Sequence, residues 1–188
     1  MPGLNRRFAA IASVVILALA VDSCSSTAPS VPLDFGTVTA TIDGRSWQSH
    51  AVGPFPPDST VAEYATNLDR LRIYGFGAPP PQGGIVENIA LCVTSGVAQR
   101  TYTLGPVTGG PFGRYEPPDP NYPDNLVYFS GTPAGHLNIE ILDVAGGIIR
   151  GTFDFVGHEK HDGSLVRVKG RFYGRMIVTP QTVEPVCG

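Results

Sequence analysis

No stretch of this sequence is basic enough to follow a phosphate backbone. Its 188 residues hold 13 Lys and Arg against 16 Asp and Glu, a net charge of −3, and only 15% are charged. A nucleic-acid partner is not expected, since such surfaces need a basic stripe. Nothing polybasic offers itself to anionic lipid headgroups either. Nucleophile-elbow sequence of the G-x-S-x-G kind is missing, which removes one common route to acyl transfer. Cysteine is scarce at three residues, and tryptophan occurs once, as Trp47. With 23 Gly and 18 Pro, breakers are too frequent to leave room for many long helices.

What the chain does have begins at its N-terminus. Arg6 and Arg7 precede Phe8–Val21, a run of 14 apolar or small residues. As a helix that run reaches roughly 21 Å, short of a hydrocarbon core of about 30 Å, so a secretory signal fits better than a membrane span. Two cleavage sites compete. Ala18–Ala20 reads as an ordinary small-x-small site. Val21–Cys24 ("VDSC") resembles the lipobox of bacterial lipoproteins, in which the cysteine is acylated and becomes the new N-terminus; Val21 and Ser23 fit that pattern and Asp22 departs from it. The Ser/Thr/Pro-rich sequence after Cys24 suits a flexible tether. The resemblance implies several acyl chains, palmitate-type anchoring, which durable attachment requires. The expected organisation is a signal peptide at 1–23, a tether at 24–33 and one domain at 34–188, a comfortable size for a single core. Removing residues 1–23 leaves 11 basic and 15 acidic side chains, a net charge of −4.

Three cysteines are an odd number for an exported chain. With Cys24 acylated, Cys92 and Cys187 remain, and an oxidising compartment lets them pair. That bond would pin the tail "VEPVCG" to the strand "NIALCVTS" and contribute on the order of 4 kcal/mol by the loop-closure argument.

Within the domain the apolar residues follow a period of two. Val38, Ala40 and Ile42 alternate with threonines, Asp43-Gly44 has the chemistry of a two-residue type I′ turn, and Trp47 lies on the returning strand as a core anchor. "HLNIEILDV" alternates with a slip near Leu142, "AGG" turns the chain, and "IIRGTFDFVG" returns with Phe153 and Phe155 on one face. "SLVRVKGRFYGRMIV" carries Val166, Val168 and Phe172 on an apolar face, with Gly170 and Gly174 read as bulges or bends. Arg167, Lys169 and Arg171 are read as charges that guard a sheet edge. "LRIYGFG", "NIALCVTS", "RTYTLG" and "NLVYFS" supply further strands, and "STVAEYATNLDR" is the one helical candidate. The expectation is all-β: a single antiparallel sandwich or barrel-like domain of about nine or ten strands.

"TATIDGRSW", "RTYTLG" and "GTFDF…VRVKGRF" together resemble a group of uncharacterised bacterial lipoprotein domains. Their pattern is an Asp-Gly-x-x-Trp opening followed by Gly-Thr-Phe-x-Phe and Gly-x-Phe strands. The likeness covers most of residues 37–178. It implies a β fold and an address in the cell envelope, with no catalytic residue to carry over.

Three places carry candidate chemistry. "HEKHDG" (His158–Gly163) lacks the helical four-residue spacing of a zincin. His158, His161 and Asp162 are the weak metal candidates there; a solvated hairpin loop explains the same residues with nothing added, and no metal or cofactor is expected. The segment 109–125 holds 17 residues with five prolines, long enough to be functional. Its Phe112, Arg114, Tyr115 and Tyr122 are the candidate contact residues for a glycan or an envelope protein. The competing reading folds those rings back as a lid over one end of the domain. Glu140 and Asp154 are a possible carboxylate pair on adjacent strands, while His50 and His136 stand alone. The function these features support is non-enzymatic binding in the bacterial envelope by a membrane-anchored lipoprotein. The runners-up are a hydrolase acting on glycan or peptide and a purely structural component.

Overall fold

The structure, a computed structural model, describes residues 35–50, 60–79, 86–118, 127–159 and 162–180. The leader, Cys24 and the tether, along with Tyr122, His161 and Cys187, lie outside them.

Eleven strands form the domain: β1 (Thr37–Ile42), β2 (Arg45–Gln48), β3 (Thr60–Ala65), β4 (Arg70–Phe76), β5 (Asn88–Val93), β6 (Thr101–Leu104), β7 (Phe112–Glu116), β8 (Tyr128–Ser130), β9 (Gly135–Asp143), β10 (Ile148–Glu159) and β11 (Leu165–Thr179). They join in the order β2-β1-β11-β3-β4-β5-β7-β8-β10-β9-β6, with β10 and β11 paired to each other as well. The circuit therefore closes. The β10–β11 hairpin runs in register from Ile148↔Arg175 to His158↔Leu165. β1 and β9 flank it on either side. At opposite ends of the hairpin, β11 hands on to β3 and β10 hands on to β8. One layer, β2-β1-β11-β10-β9-β6, thus joins a second, β3-β4-β5-β7-β8, at two corners, a sandwich closed into a barrel-like shell.

The sequence explains most of this. β10 alternates buried and solvated positions along nearly its whole length, as a strand with one apolar face must. Asp43 and Gly44 both adopt positive φ, 47° and 85°, the geometry of the type I′ turn that their identities favour. Trp47, Phe153, Phe155, Val166, Val168 and Phe172 all enter one core with Leu71, Ile73, Ile89 and Leu91.

Four expectations are corrected. The sheet is not wholly antiparallel, because β3 runs parallel to β11. "STVAEYATNLDR" is not a helix: Val61, Ala62 and Ala65 are fully buried, so burial on the sheet overrides local propensity, and only Thr66–Leu68 makes a 3-10 turn. Gly170 is not a bulge, since pairing runs unbroken through it on both sides. It is small because a Cβ there would meet the Thr39 carbonyl oxygen and the Phe153 ring. Arg167, Lys169 and Arg171 guard no edge, because β11 has partners on both sides along these residues; they line its outer face. The register shift expected near Leu142 is real, and it falls where Arg150 gives way to Gly151 opposite Ile141 and Ile139.

Candidate binding cleft

At one mouth of the shell the β1–β2 turn, the end of β7, β8 and the start of β11 surround a cleft of about 340 Å³. Ile42 and Val166 form its apolar floor, and Leu165, Pro117 and Tyr128 its apolar wall. Asp43, Arg45 and Tyr115 supply the polar side. The hairpin tip is fixed: Asp43 donates its amide to the Arg167 carbonyl at 2.9 Å, and its carboxylate accepts the Arg167 amide at 2.8 Å. Tyr128 sits opposite Tyr115 in the ladder, the rings 6.0 Å apart, and Gly157 makes room for it, since a Cβ there would lie 2.7 Å from Tyr128 Cβ.

Beneath the polar side lies Glu87, only 8% exposed. Its Oε1 accepts a hydrogen bond from the Tyr115 hydroxyl at 2.7 Å and an ion pair from Arg45 Nη2. A carboxylate this buried needs such partners. The Arg45 side chain reaches it from a position still 54% exposed. Hydrogen bonding to Glu87 raises the Arg45 pKa above its ordinary value. Burial, reinforced by the bond to Glu87, pushes the Tyr115 phenol well up.

This has a measurable sign. An unfolded tyrosine ionises at about pH 10, whereas folded Tyr115 keeps its proton to higher pH. Its contribution to stability is whole below the unfolded value and is lost as pH rises from there toward the folded one. Tyr115→Phe is expected to cost about 1.5–3 kcal/mol at neutral pH, the range for a hydrogen bond to a charged group, and to flatten the decline of melting temperature above about pH 10. Tyr64 and Tyr74, also raised by burial, leave a residual slope. Equal slopes in the two proteins would place the Tyr115 hydroxyl outside the network.

The residues singled out in the sequence have other settings. The 109–125 segment is a strand in its middle, not a continuous loop. Phe112 is 3% and Tyr115 4% exposed, so neither presents an open ring face; Phe112 packs 6.2 Å from Phe129. Arg114 donates from Nη2 to Glu116 at 2.7 Å, and Asn88 donates to the same oxygen at 2.8 Å. Of the three that are described, only Tyr115 joins the cleft.

In "HEKHDG" the carboxylates serve the turn. Glu159 accepts the Asp162 amide at 2.7 Å, and Asp162 accepts the Ser164 amide at 2.7 Å, which holds the Asp162 carboxyl below its usual range. His158 stands on β10 opposite Phe129. Among the described residues no group of three or more His, Cys, Asp or Glu is placed to hold a metal ion. Glu140 and Asp154 do lie on adjacent strands, but the ladder sets Asp154 opposite His136, four residues along β9 from Glu140; Glu140 takes Arg150 Nε at 3.0 Å, and Asp154 lies 3.6 Å from His136.

Sequence reasoning missed Arg45, Glu87 and Tyr128. Arg45 follows the Asp-Gly turn, and that placement was the available signal; Glu87 sits in a Gly-rich connection with nothing local to mark it. No family model, curated protein or solved structure matches this chain.

Proposed function

We propose that this chain is an exported bacterial lipoprotein, held in the cell envelope by acylated Cys24, whose β domain binds a ligand or partner without chemistry of its own. The observation that carries the binding role is the cleft with its Arg45–Glu87–Tyr115 network, buried at Glu87 and Tyr115 and open at Arg45. Polar groups preorganised at the mouth of a rigid sheet are a recognition device. The β9–β10 register, which sets Asp154 opposite His136 and four residues along from Glu140, favours binding over glycoside cleavage, which uses two carboxyl groups acting across one bond. The resemblance to bacterial lipoprotein domains and the "VDSC" sequence support the address. Cys92, 1% exposed on β5, is proposed to pair with Cys187.

Intact-mass analysis of the membrane fraction, after alkylation without reductant, tests the anchor and the bond together. The expected wild-type product begins at Cys24, carries acyl mass and takes no alkyl group at Cys92 or Cys187, and Cys24→Ala carries no acyl mass. An unmodified product beginning at Val21 rules out the anchor; two alkylated thiols rule out the bond.

A further inference from the structure

We propose that the cleft between the β1–β2 turn and β8 is a saccharide site that takes a neutral sugar ring. This names the ligand of the binding role proposed above and rests on it. Charge narrows the choice first. Arg45 is the cation of the cleft, and Glu87 already compensates it, while Asp43 adds a carboxylate to the lining. An anion finds no uncompensated positive charge there.

The main chain narrows it further. Ile42 is laddered to both Arg45 and Val168, and Tyr115 to both Ile89 and Tyr128. Asp43 occupies the amide and the carbonyl of Arg167. An extended peptide that binds by adding a strand needs a free edge; β1, β7 and β8 have partners on both sides, and β2, which ends the strand order, leaves an edge only four residues long.

Side chains must then do the recognising. Leu165 stands 59% exposed at the rim, although its neighbour Val166 is only 5% exposed, and with Tyr128 and Pro117 it makes an apolar wall. The lining adds the Arg45 guanidinium, the Asp43 carboxylate and Tyr115, whose hydroxyl is held by Glu87. A pyranose has the matching character: one face of C–H groups, and a rim of hydroxyls that both donate and accept. The volume of about 340 Å³ lies at the small end of ligand sites and suits one or two rings.

The test presents the full-length chain to neutral oligosaccharides of gluco, manno, galacto and N-acetylated type, beside uronic-acid oligosaccharides and capped neutral peptides. Binding of a neutral saccharide is expected, weakened at least tenfold by Leu165→Glu and by Arg45→Gln. The Leu165 side chain is largely in solvent, so that variant keeps the wild-type melting temperature and separates lost contact from lost fold. No neutral saccharide bound, a preference for uronic acids, or binding indifferent to both substitutions overturns the proposal. Peptide capture through the same residues overturns the sugar assignment while leaving the binding role standing. An unacylated Cys24 in the mass analysis touches the anchor alone.

Discussion

Phe172→Ala is expected to lower the unfolding free energy by about 3–5 kcal/mol, the range for emptying a buried aromatic site. Single domains have only about 5–15 kcal/mol to lose. Phe172 has no exposed surface. It stacks on Phe153 with ring centroids 6.5 Å apart, and it sits on the central strand, opposite Val38 of β1 and Gly151 of β10. A cavity there lies under the paired β1–β11–β10 backbones, which are poorly placed to collapse into it. Urea unfolding reads the effect as a drop in midpoint at nearly constant slope. A loss below about 1 kcal/mol would mean that the ring contributes no more than an average substitution site, against a core centred on this hairpin.

The second large effect comes from adding an atom. A Cβ at Gly151 would press on the Asn138 carbonyl oxygen and lie 2.6 Å from Phe172 Cζ. Side-chain tips can swing away, but a laddered carbonyl cannot. Gly151→Ala is therefore expected to cost about 3 kcal/mol through overpacking and backbone displacement. The Gly151→Ala/Phe172→Ala double variant should lose less than the sum of the two singles, because removing the ring relieves one of the two clashes, and contacting sites couple in this way. Strict additivity in the urea midpoints would contradict the Gly151–Phe172 contact.

How much of this was legible beforehand depended on whether the governing forces are local. Period-two burial announced β1, β9, β10 and β11, and Asp43-Gly44 announced its own turn, because alternation and turn conformation are fixed within a few residues. β3 was misread because "TVAEYA" buries Val61 and Ala62 in succession, which resembles neither a clean strand nor a clean helix. β7 hid among Gly109, Gly110 and the prolines that follow it; its flanks look like loop, and only pairing with β5 and β8 makes it a strand. The cleft is less legible still. Glu87 matters because folding carries it to Arg45, 42 positions away, and to Tyr115, 28 positions away. The sequence offered Phe112 and Tyr115 as contact residues, yet both rings are buried; which face a ring takes depends on strand register, and register is set by partners far along the chain.

The β1–β11 seam joins the opening of the domain to its close, with Thr37 directly opposite Tyr173. A nascent polypeptide cannot complete that seam from its leading portion alone. Maturation must wait for the last segment to arrive, and such distant pairings make it slow. Until then the β1–β2 hairpin has its own pairing but no sheet to join, so one edge of β1 stays open until the chain is nearly whole.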